Sequence, residues 1–246
     1  MRSLREYNIS TSYGTIHTLE QGSGVPLVFF HGWSVNGFTC LRVIETMSKH
    51  HRVLVPTMPG FTPSFDWKKK PTPDDFQKVL SEWYDAVHIT KPVIVGHSLG
   101  GVMAVLLTSV REEKLRKLIL IDTVGAPAPR HSKDWVSAWL KKRVNTYRRY
   151  GVYDVVRYVD QAFIKNAIFR TKDFLYLSKF ARQVDVREHI KKFTLPLTIL
   201  WGEEDVFTPV AIAHSIQKVY PKARLHMVPG NHDWPIFDPR ELEKFL

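Results

Sequence analysis

The stretch that most constrains the fold is residues 92–101, PVIVGHSLGG, in which a short apolar run leads into a serine flanked by glycines. A strand, a GxSxG serine and the beginning of a helix, in that order, are typical of a nucleophile elbow. Gly96 and Gly100 are expected where strand and helix nearly touch, because neither carries a Cβ. Ser98 is therefore predicted to project into a cleft, although the pattern by itself also occurs in ordinary glycine turns.

Continuous apolar runs of strand length occur on both sides of this stretch, as expected of parallel strands that are buried on both faces. They alternate with segments of helical spacing, and this alternation predicts an α/β fold with a mostly parallel, doubly wound sheet. A hairpin over residues 7–19 precedes them. The predicted core strands are 26–30, 52–56, 93–95, 118–122, 197–201 and 224–228.

Strand-like runs are absent between residues 124 and 193, where the pattern becomes helical. The simplest architecture has a first core part over residues 1–123, a helical lid insertion over 124–193 and a second core part over 194–246. Ser132 can cap the first lid helix. One face of that helix carries Val136, Leu140, Val144 and Tyr147. The residues expected to pack against the core or to roof the cleft include Trp135, Trp139, Tyr147 and Phe163.

The basic residues are concentrated in the predicted lid. The whole chain has a formal net charge of +11, and residues 130–192 hold 16 basic and 6 acidic residues, a local net charge of +10. A basic surface confined to one region can attract an anionic partner. A solvated helix face is the commoner explanation of runs such as 141–143 and 148–149, and that alternative stays open. No recognised motif or aromatic interleaving indicates nucleic acid as a partner.

The single cysteine, Cys40, excludes an intramolecular disulfide and suits a reducing compartment. It has no nearby pattern of metal-ligand spacing, so neither a metal nor a cofactor is expected. No apolar run approaches the roughly 20 residues of a membrane span. We therefore expect a soluble, cytoplasmic protein without a transmembrane segment.

A serine hydroxyl is a weak nucleophile that needs a base, and the base needs an orienting acid. Asp205 follows one predicted strand in the turn GEED, and His232 follows the next in the loop PGNH. Because ligands of open α/β sheets bind at the carboxyl ends of the strands, these residues are predicted to meet Ser98. Asp122 also ends a strand and stays open as the alternative acid, whereas Glu204 is expected to be a solvated turn residue. Four other histidines are expected to be structural, namely His31, His97, His214 and His226.

These residues make the chain resemble the α/β hydrolases over nearly its whole length. Four motifs carry the resemblance, each at the end of a strand: HGW at 31–33, GHSLGG at 96–101, GEED at 202–205 and GNH at 230–232. The family order of nucleophile, acid and base is the order found here. The resemblance implies acyl transfer through Ser98, with His232 and Asp205, and an oxyanion hole built from the backbone N–H groups of Trp33 and Leu99.

The sequence HGWSVNG at 31–37, the length and the inserted lid are most similar to the small carboxylesterase branch that includes the pimeloyl-[acyl-carrier protein] methyl ester esterases. This implies a serine esterase for short to medium acyl chains. It also implies an acidic carrier protein or an anionic substrate at the basic lid, with an anionic membrane surface as a further option. The segment TMPGFT at 57–62 departs from the usual Asp-x-Pro-Gly-x-Gly run, which weakens transfer of any one relative's substrate. A lyase, an acyltransferase, a carbon–carbon bond hydrolase and a non-catalytic receptor remain open alternatives on this scaffold.

Overall fold

The computed structural model describes residues 3–127 and 132–246, apart from the side chains of residues 132–135. The expected cap at Ser132 and the expected packing of Trp135 lie outside the described side chains. Eight strands form a single sheet. They are β1 (Arg5–Ser10), β2 (Thr15–Gly22), β3 (Val25–Phe30), β4 (His51–Pro56), β5 (Val93–His97), β6 (Lys117–Ile121), β7 (Leu197–Gly202) and β8 (Arg224–Val228).

The strand order is β1-β2-β4-β3-β5-β6-β7-β8. Strands β3 to β8 pair only in parallel with one another, and β2 pairs antiparallel with β1 and β4. The predicted hairpin closes where the N–H of Thr11 donates to the carbonyl of Gly14 at 2.9 Å. Every residue of the central strand β5 is buried, which explains its continuous apolar sequence. The predicted mostly parallel α/β sheet is confirmed.

Helices connect the strands and cover both faces of the sheet. They are α1 (Leu41–Met47), α2 (Pro73–Ala86), α3 (Leu99–Arg111), α4 (Ser132–Tyr150), α5 (Val152–Val155), α6 (Gln161–Phe169), α7 (Thr171–Gln183), α8 (Arg187–Ile190), α9 (Ala211–Val219), α10 (Trp234–Phe237) and α11 (Arg240–Glu243). A π-helical turn, Val156–Asp160, joins α5 to α6. No helix in the described part of the chain is long and apolar enough to cross a bilayer.

The two faces of the sheet bury separate apolar clusters. On one face, α2 packs against α3, and both contribute fully buried side chains such as Trp83 and Val102. On the other face, α1 packs against α10, with Ile44 and Trp234 in the core. Helix α2 begins where Thr72 and Asp75 cap one another's backbone N–H groups, as a capping box does. These layers fix the carboxyl edge of the sheet, where the predicted site residues lie.

Helices α4 to α8 and the π-helical turn Val156–Asp160 lie between β6 and β7, and we call them together the inserted helices. Three of the four residues predicted to share a face of α4 are exposed: Val136 and Leu140 are each 53% exposed and Val144 is 46% exposed, whereas Tyr147 is partly buried. The opposite side of α4, with Ala138 and Thr146, is buried instead. An apolar helix face ordinarily packs on a core, whereas these three side chains face outward. Among the described residues, ten of the fourteen exposed large apolar side chains lie between 136 and 175.

Candidate active site

Ser98 lies at the turn from β5 to α3 in a strained backbone conformation, with φ 55° and ψ −119°. A non-glycine residue in such a region costs about 1–3 kcal/mol and persists only where its surroundings enforce it. Here the N–H of Ser98 donates to the carbonyl of Ile121 at 2.9 Å, and its carbonyl accepts from the N–H of Gly101 at 3.0 Å. The sheet and the helix therefore hold the serine at the carboxyl edge.

The glycines around Ser98 are required by close approach of the backbone. A Cβ on Gly96 would lie 2.4 Å from the carbonyl oxygen of Gly100, and a Cβ on Gly100 would lie 2.1 Å from that of Phe30. Both distances are shorter than real Cβ contacts, so a side chain at either position would push β5, α3 and β3 apart. The predicted near-contact of strand and helix at this turn is confirmed.

His232 and Asp205 are hydrogen-bonded to each other, with 2.8 Å between His232 Nδ1 and Asp205 Oδ2. The other carboxylate oxygen, Oδ1, accepts from the backbone N–H groups of Phe207 at 2.7 Å and Thr208 at 3.0 Å. Burial would raise the pKa of Asp205, but His232 and the hydrogen bonds of Thr208 lower it below its ordinary value. The carboxylate is therefore charged at neutral pH and holds the imidazole in one orientation.

Ser98 and His232 line the same cavity at the carboxyl edge of the sheet. Asp205 lies behind the imidazole, with its side chain completely buried. The loop after β3 forms one wall of the cavity, and the loop after β8 forms another. The inserted helices close it with Trp139, Lys142, Arg143, Val159 and Phe163. The structure thus brings the three predicted residues together beneath α4.

Two buried histidines hold the loops around the cavity. His31 Nδ1 donates to the carbonyl of Gly32 at 2.8 Å, and its Nε2 accepts from the N–H of Met58 at 2.9 Å. His97 Nε2 lies 2.8 Å from the carbonyl oxygen of His232, to which it donates. Burial lowers the pKa of His31 to about 4 and that of His97 to about 3, so both rings are neutral. Both rings bond to backbone groups of these loops, in keeping with the predicted structural role.

The two predicted oxyanion donors flank Ser98. A Cβ on Gly32 would lie 3.4 Å from the Cβ of Ser98, which places the backbone before Trp33 beside the serine. Leu99 is the first residue of α3, where backbone N–H groups have no acceptor within the helix. The Trp33 indole reaches further and donates from Nε1 to the carbonyl of Phe174 in α7 at 2.9 Å. Sequence motifs gave no indication of that link to the inserted helices.

The alternative acid, Asp122, has a different environment. Its Oδ1 accepts from the N–H of Gly202 at 2.7 Å, while His232 Nδ1 is bonded to Asp205. Burial, reinforced by the charge of Asp205, raises the pKa of Asp122 well above its ordinary value. Asp122 is therefore bonded to β7, and not to the imidazole that Asp205 holds. Glu204 is exposed and forms an ion pair with Arg149 at 2.6 Å.

One cluster among the described residues has the composition of a metal site. His97, Asp122 and His232 are buried and bring one potential ligand atom each within 4.8 Å of one another. One carboxylate oxygen of Asp122, however, already accepts from the N–H of Gly202, and burial raises the pKa of this carboxyl, which disfavours the deprotonated form that a metal ligand needs. A ring nitrogen of each histidine is already hydrogen-bonded, to the His232 carbonyl and to Asp205. The cluster therefore fits a hydrogen-bond network better than a metal ion.

The family model described as the alpha/beta hydrolase family matches residues 27–245. The chain belongs to the alpha/beta hydrolase family. This α/β hydrolase is 27% identical over 221 residues to the pimeloyl-[acyl-carrier protein] methyl ester esterase of Wigglesworthia glossinidia brevipalpis. The alignment covers 80% of this chain and 82% of that protein. The chain is 28% identical over 220 residues to the enzyme of that name from Legionella pneumophila (strain Paris), covering 84% and 86%.

Solved structures share the fold of this α/β hydrolase. A serine hydrolase involved in carbazole degradation superimposes with a TM-score of 0.80 at 20% identity, over 98% of this chain and 96% of that one. The predicted α/β-hydrolase fold, and the prediction of a hydrolytic enzyme resembling the methyl ester esterases, are confirmed.

Three polar residues of the site were missed by the sequence motifs. Thr208 contacts Asp205, while Lys142 and Asp233 line the cavity. The one available signal was the helical spacing of Lys142 with Ala138 and Thr146, since all three lie on the buried side of α4. Charge alone does not separate Lys142 from its basic neighbours in the sequence.

Proposed function

We propose that this α/β hydrolase cleaves carboxylic esters, with Ser98 as nucleophile, His232 as general base and Asp205 as orienting acid. One observation carries the proposal. Ser98, on its strained turn, and His232, bonded to Asp205 at 2.8 Å, line one cavity. A nucleophile, a base and a group that orients the base form the arrangement that acyl transfer requires.

The steps follow from these positions. Ser98 Oγ attacks the ester carbonyl carbon while His232 Nε2 takes the hydroxyl proton, and Asp205 stabilises the resulting imidazolium. The tetrahedral intermediate expels the alcohol, which receives its proton from His232, and Ser98 keeps the acyl group. Water then attacks the acyl-enzyme, gives a proton to His232 and releases the carboxylic acid. These reaction steps restore the serine hydroxyl and need no cofactor.

The backbone N–H groups of Leu99 and Trp33 are proposed to bind the oxyanion of each tetrahedral intermediate. Leu99 begins α3, so the positive end of the helix dipole favours negative charge there. The loop that carries Trp33 lies against Ser98, as the 3.4 Å approach of a Gly32 Cβ to the serine Cβ indicates. One such donor typically contributes about 10²- to 10³-fold in rate.

Residues 124–193, which include the inserted helices, are proposed to form a lid. They lie in the chain between the core parts 1–123 and 194–246. Support comes from the cavity wall, to which α4 and α6 contribute Trp139 and Phe163. The rings of these two residues stack 5.5 Å apart. With the indole of Trp33, they give the cavity an apolar wall that suits a short to medium acyl chain.

The substrate is proposed to be borne on an acidic carrier protein that docks on the exposed basic face of the lid. The relatives reported above are named for an ester on an acyl-carrier protein. Lys141 and Arg148 are exposed on α4, whereas Arg149 is engaged with Glu204. A cytoplasmic location belongs to the same proposal, and the single buried Cys40 is compatible with a reducing compartment.

The test combines a serine-trapping phosphonate with a panel of chromogenic esters. Wild-type protein should be labelled and should turn over esters, and Ser98→Ala should lose labelling and at least about 10³-fold of turnover. Asp205→Asn should lose far more activity than Asp122→Asn, which leaves the His232 partner in place. Labelling without hydrolysis of any ester would contradict the proposal and favour a lyase, a transferase or a receptor.

The carrier proposal is tested in the same panel by Lys141→Glu with Arg148→Glu. This variant should slow turnover of a carrier-borne ester by roughly tenfold at low salt and leave a small neutral ester unaffected. Lys218→Glu with Lys222→Glu, at exposed positions outside the lid, is the matched control. Equal effects on both esters would refute docking of a carrier at this face.

A further inference from the structure

A lysine of α4 lies in the cavity wall and not on the outer surface. The Lys142 side chain is only 13% exposed, although lysine is almost never buried without a partner. Its Nζ lies 2.7 Å from Oδ1 of Asp233, whose side chain is 2% exposed. Asp233 follows His232 directly in the chain. A buried ion pair therefore joins α4 to the residue next to the proposed base.

A second contact joins the same carboxylate to α4. The hydroxyl of Thr146, which is fully buried, donates to Oδ2 of Asp233 at 2.8 Å. On the other side of His232, Asn231 Nδ2 lies 3.4 Å from the same hydroxyl oxygen. The two neighbours of His232 thus contact a single turn of α4, between Lys142 and Thr146.

The core holds this loop from its other side. His97 donates to the carbonyl oxygen of His232 at 2.8 Å, which fixes the backbone of the loop from β5. On the side of α4, the ammonium of Lys142 lies 5.7 Å from the ring centre of Phe207. The Phe207 ring in turn packs edge-on to the imidazole of His232, with 5.0 Å between ring centres. Lys142 therefore contacts two residues that adjoin His232: Asp233, which follows it in the chain, and Phe207, which packs on its imidazole.

The Asp233 carboxylate is charged at neutral pH. Burial alone would raise the pKa of Asp233, but the Lys142 ammonium and the neighbouring imidazole hold it below its ordinary value. Removing one member of a buried ion pair leaves an uncompensated charge and is strongly destabilising, whereas replacing both is much milder. The pair can therefore be tested by single and double substitution.

We propose that Lys142 and Asp233 are positioning residues, through which docking of α4 aligns the His232 imidazole with Ser98 and Asp205. The inference rests on the proposed function, in which His232 is the base. Neither residue exchanges a proton in the reaction; each acts through the loop that carries the base. Helix α4 therefore both covers the cavity and aligns the base. Displacing α4 would open the cavity and misalign His232.

The experiment compares Lys142→Met, Asp233→Asn and the double variant with wild-type protein. Each single variant should lose about 10- to 100-fold in kcat for a small neutral ester, with KM within about twofold, because misaligned groups slow chemistry more than binding. The double variant should lose less than the product of the two single losses. The low-field proton resonance of His232 Nδ1–H, bonded to Asp205, should broaden in both single variants and sharpen again in the double variant.

Arg149→Met is the matched control, because it breaks another ion pair of α4, the exposed one with Glu204. It should leave kcat and the His232 resonance unchanged. Folded single variants with wild-type kcat and resonance would overturn the proposal, as would losses confined to KM. If wild-type protein hydrolysed no ester, the proposed function would fail, and the resonance would still decide whether Lys142 positions His232.

Discussion

The carboxyl edge of the sheet and the inserted helices are built in opposite ways. At the sheet edge, the backbone itself sets the geometry: Ser98 is held at φ 55° by neighbouring strands and by glycines that leave no room for a Cβ. In the inserted helices, ten of the chain's fourteen described exposed large apolar side chains face outward. The core thus sets the position of Ser98, whereas the roof of the cavity is formed by elements that leave much apolar surface exposed.

Polar contacts attach these helices at a few places. The Asn166 side chain, fully buried in α6, accepts from the N–H of Thr62 at 2.8 Å and donates to the carbonyl of Ser34 at 3.0 Å. Asp173 in α7 accepts from the N–H of Trp67 at 2.9 Å. Because hydrogen bonds are directional, these contacts add a defined orientation to the apolar packing through which Leu177 and Phe180 of α7 join the core. The difference predicts that the core and the inserted helices respond differently to similar substitutions.

The largest difference in the free energy of unfolding is expected between alanine substitutions of two glycines, Gly100 and Gly151. Gly100→Ala places a Cβ 2.1 Å from a backbone carbonyl of β3 and should lower the free energy of unfolding by about 4 kcal/mol or more. Gly151, before α5, has φ +80° but nothing within 4 Å of a Cβ. Gly151→Ala should therefore cost about 1–3 kcal/mol, from backbone strain alone. Urea unfolding of both variants measures the difference, and equal losses would contradict the contrast.

A smaller difference in the free energy of unfolding is expected between substitutions of two glutamates that form ion pairs, Glu20 and Glu204. Glu20, with a side chain 2% exposed, accepts from Arg52 at 2.9 Å and 3.1 Å, from Tyr7 at 2.7 Å, and from Arg5. Burial would raise its pKa, but these donors lower the pKa from 4.5 to about 2. The stabilisation is therefore complete above the ordinary pKa and is lost as the pH falls through about 2.

Glu20→Gln should accordingly cost about 3 kcal/mol at neutral pH, and the difference from wild type should shrink as the pH is lowered from about 5 towards 2. Glu204→Gln breaks an ion pair whose side chains are 37% and 56% exposed, and it should cost about 0–1 kcal/mol. Denaturant unfolding at several pH values measures both. A pH-independent difference for Glu20→Gln would show that its charge does not carry the stabilisation.

The smallest effect is expected on the outer face of α4. Replacing Val136, Leu140 and Val144 by Gln should change the free energy of unfolding by about 0.5 kcal/mol or less per residue, because these side chains are already half exposed. Leu106→Gln in α3, where the side chain is fully buried, is the control and should cost about 3 kcal/mol or more. A loss of more than about 2 kcal/mol per residue on α4 would show that its outer face is covered in solution.

The sequence predicted the core closely because burial in a parallel sheet leaves continuous apolar runs, and because the elbow needs glycine at fixed positions. It also predicted that Asp205 and His232 come together, since both follow neighbouring strands. Its interpretation of α4 was incomplete for a physical reason. Helical spacing shows that residues share a face but not whether that face meets the core, and here Ala138 and Thr146 meet it while Val136 and Leu140 do not.

The sequence by itself determined the strand-turn-helix at Ser98, the order of the three predicted site residues and the excess of positive charge in the inserted helices. Local sterics and burial are enough to determine the turn at Ser98 and the order of the site residues. Counting charged residues is enough to determine the excess of positive charge. Only the tertiary structure separated Lys142, buried against Asp233, from Lys141, exposed one residue earlier. Two adjacent lysines on a helix point about 100° apart, so the packing of α4 decides which one enters the cavity.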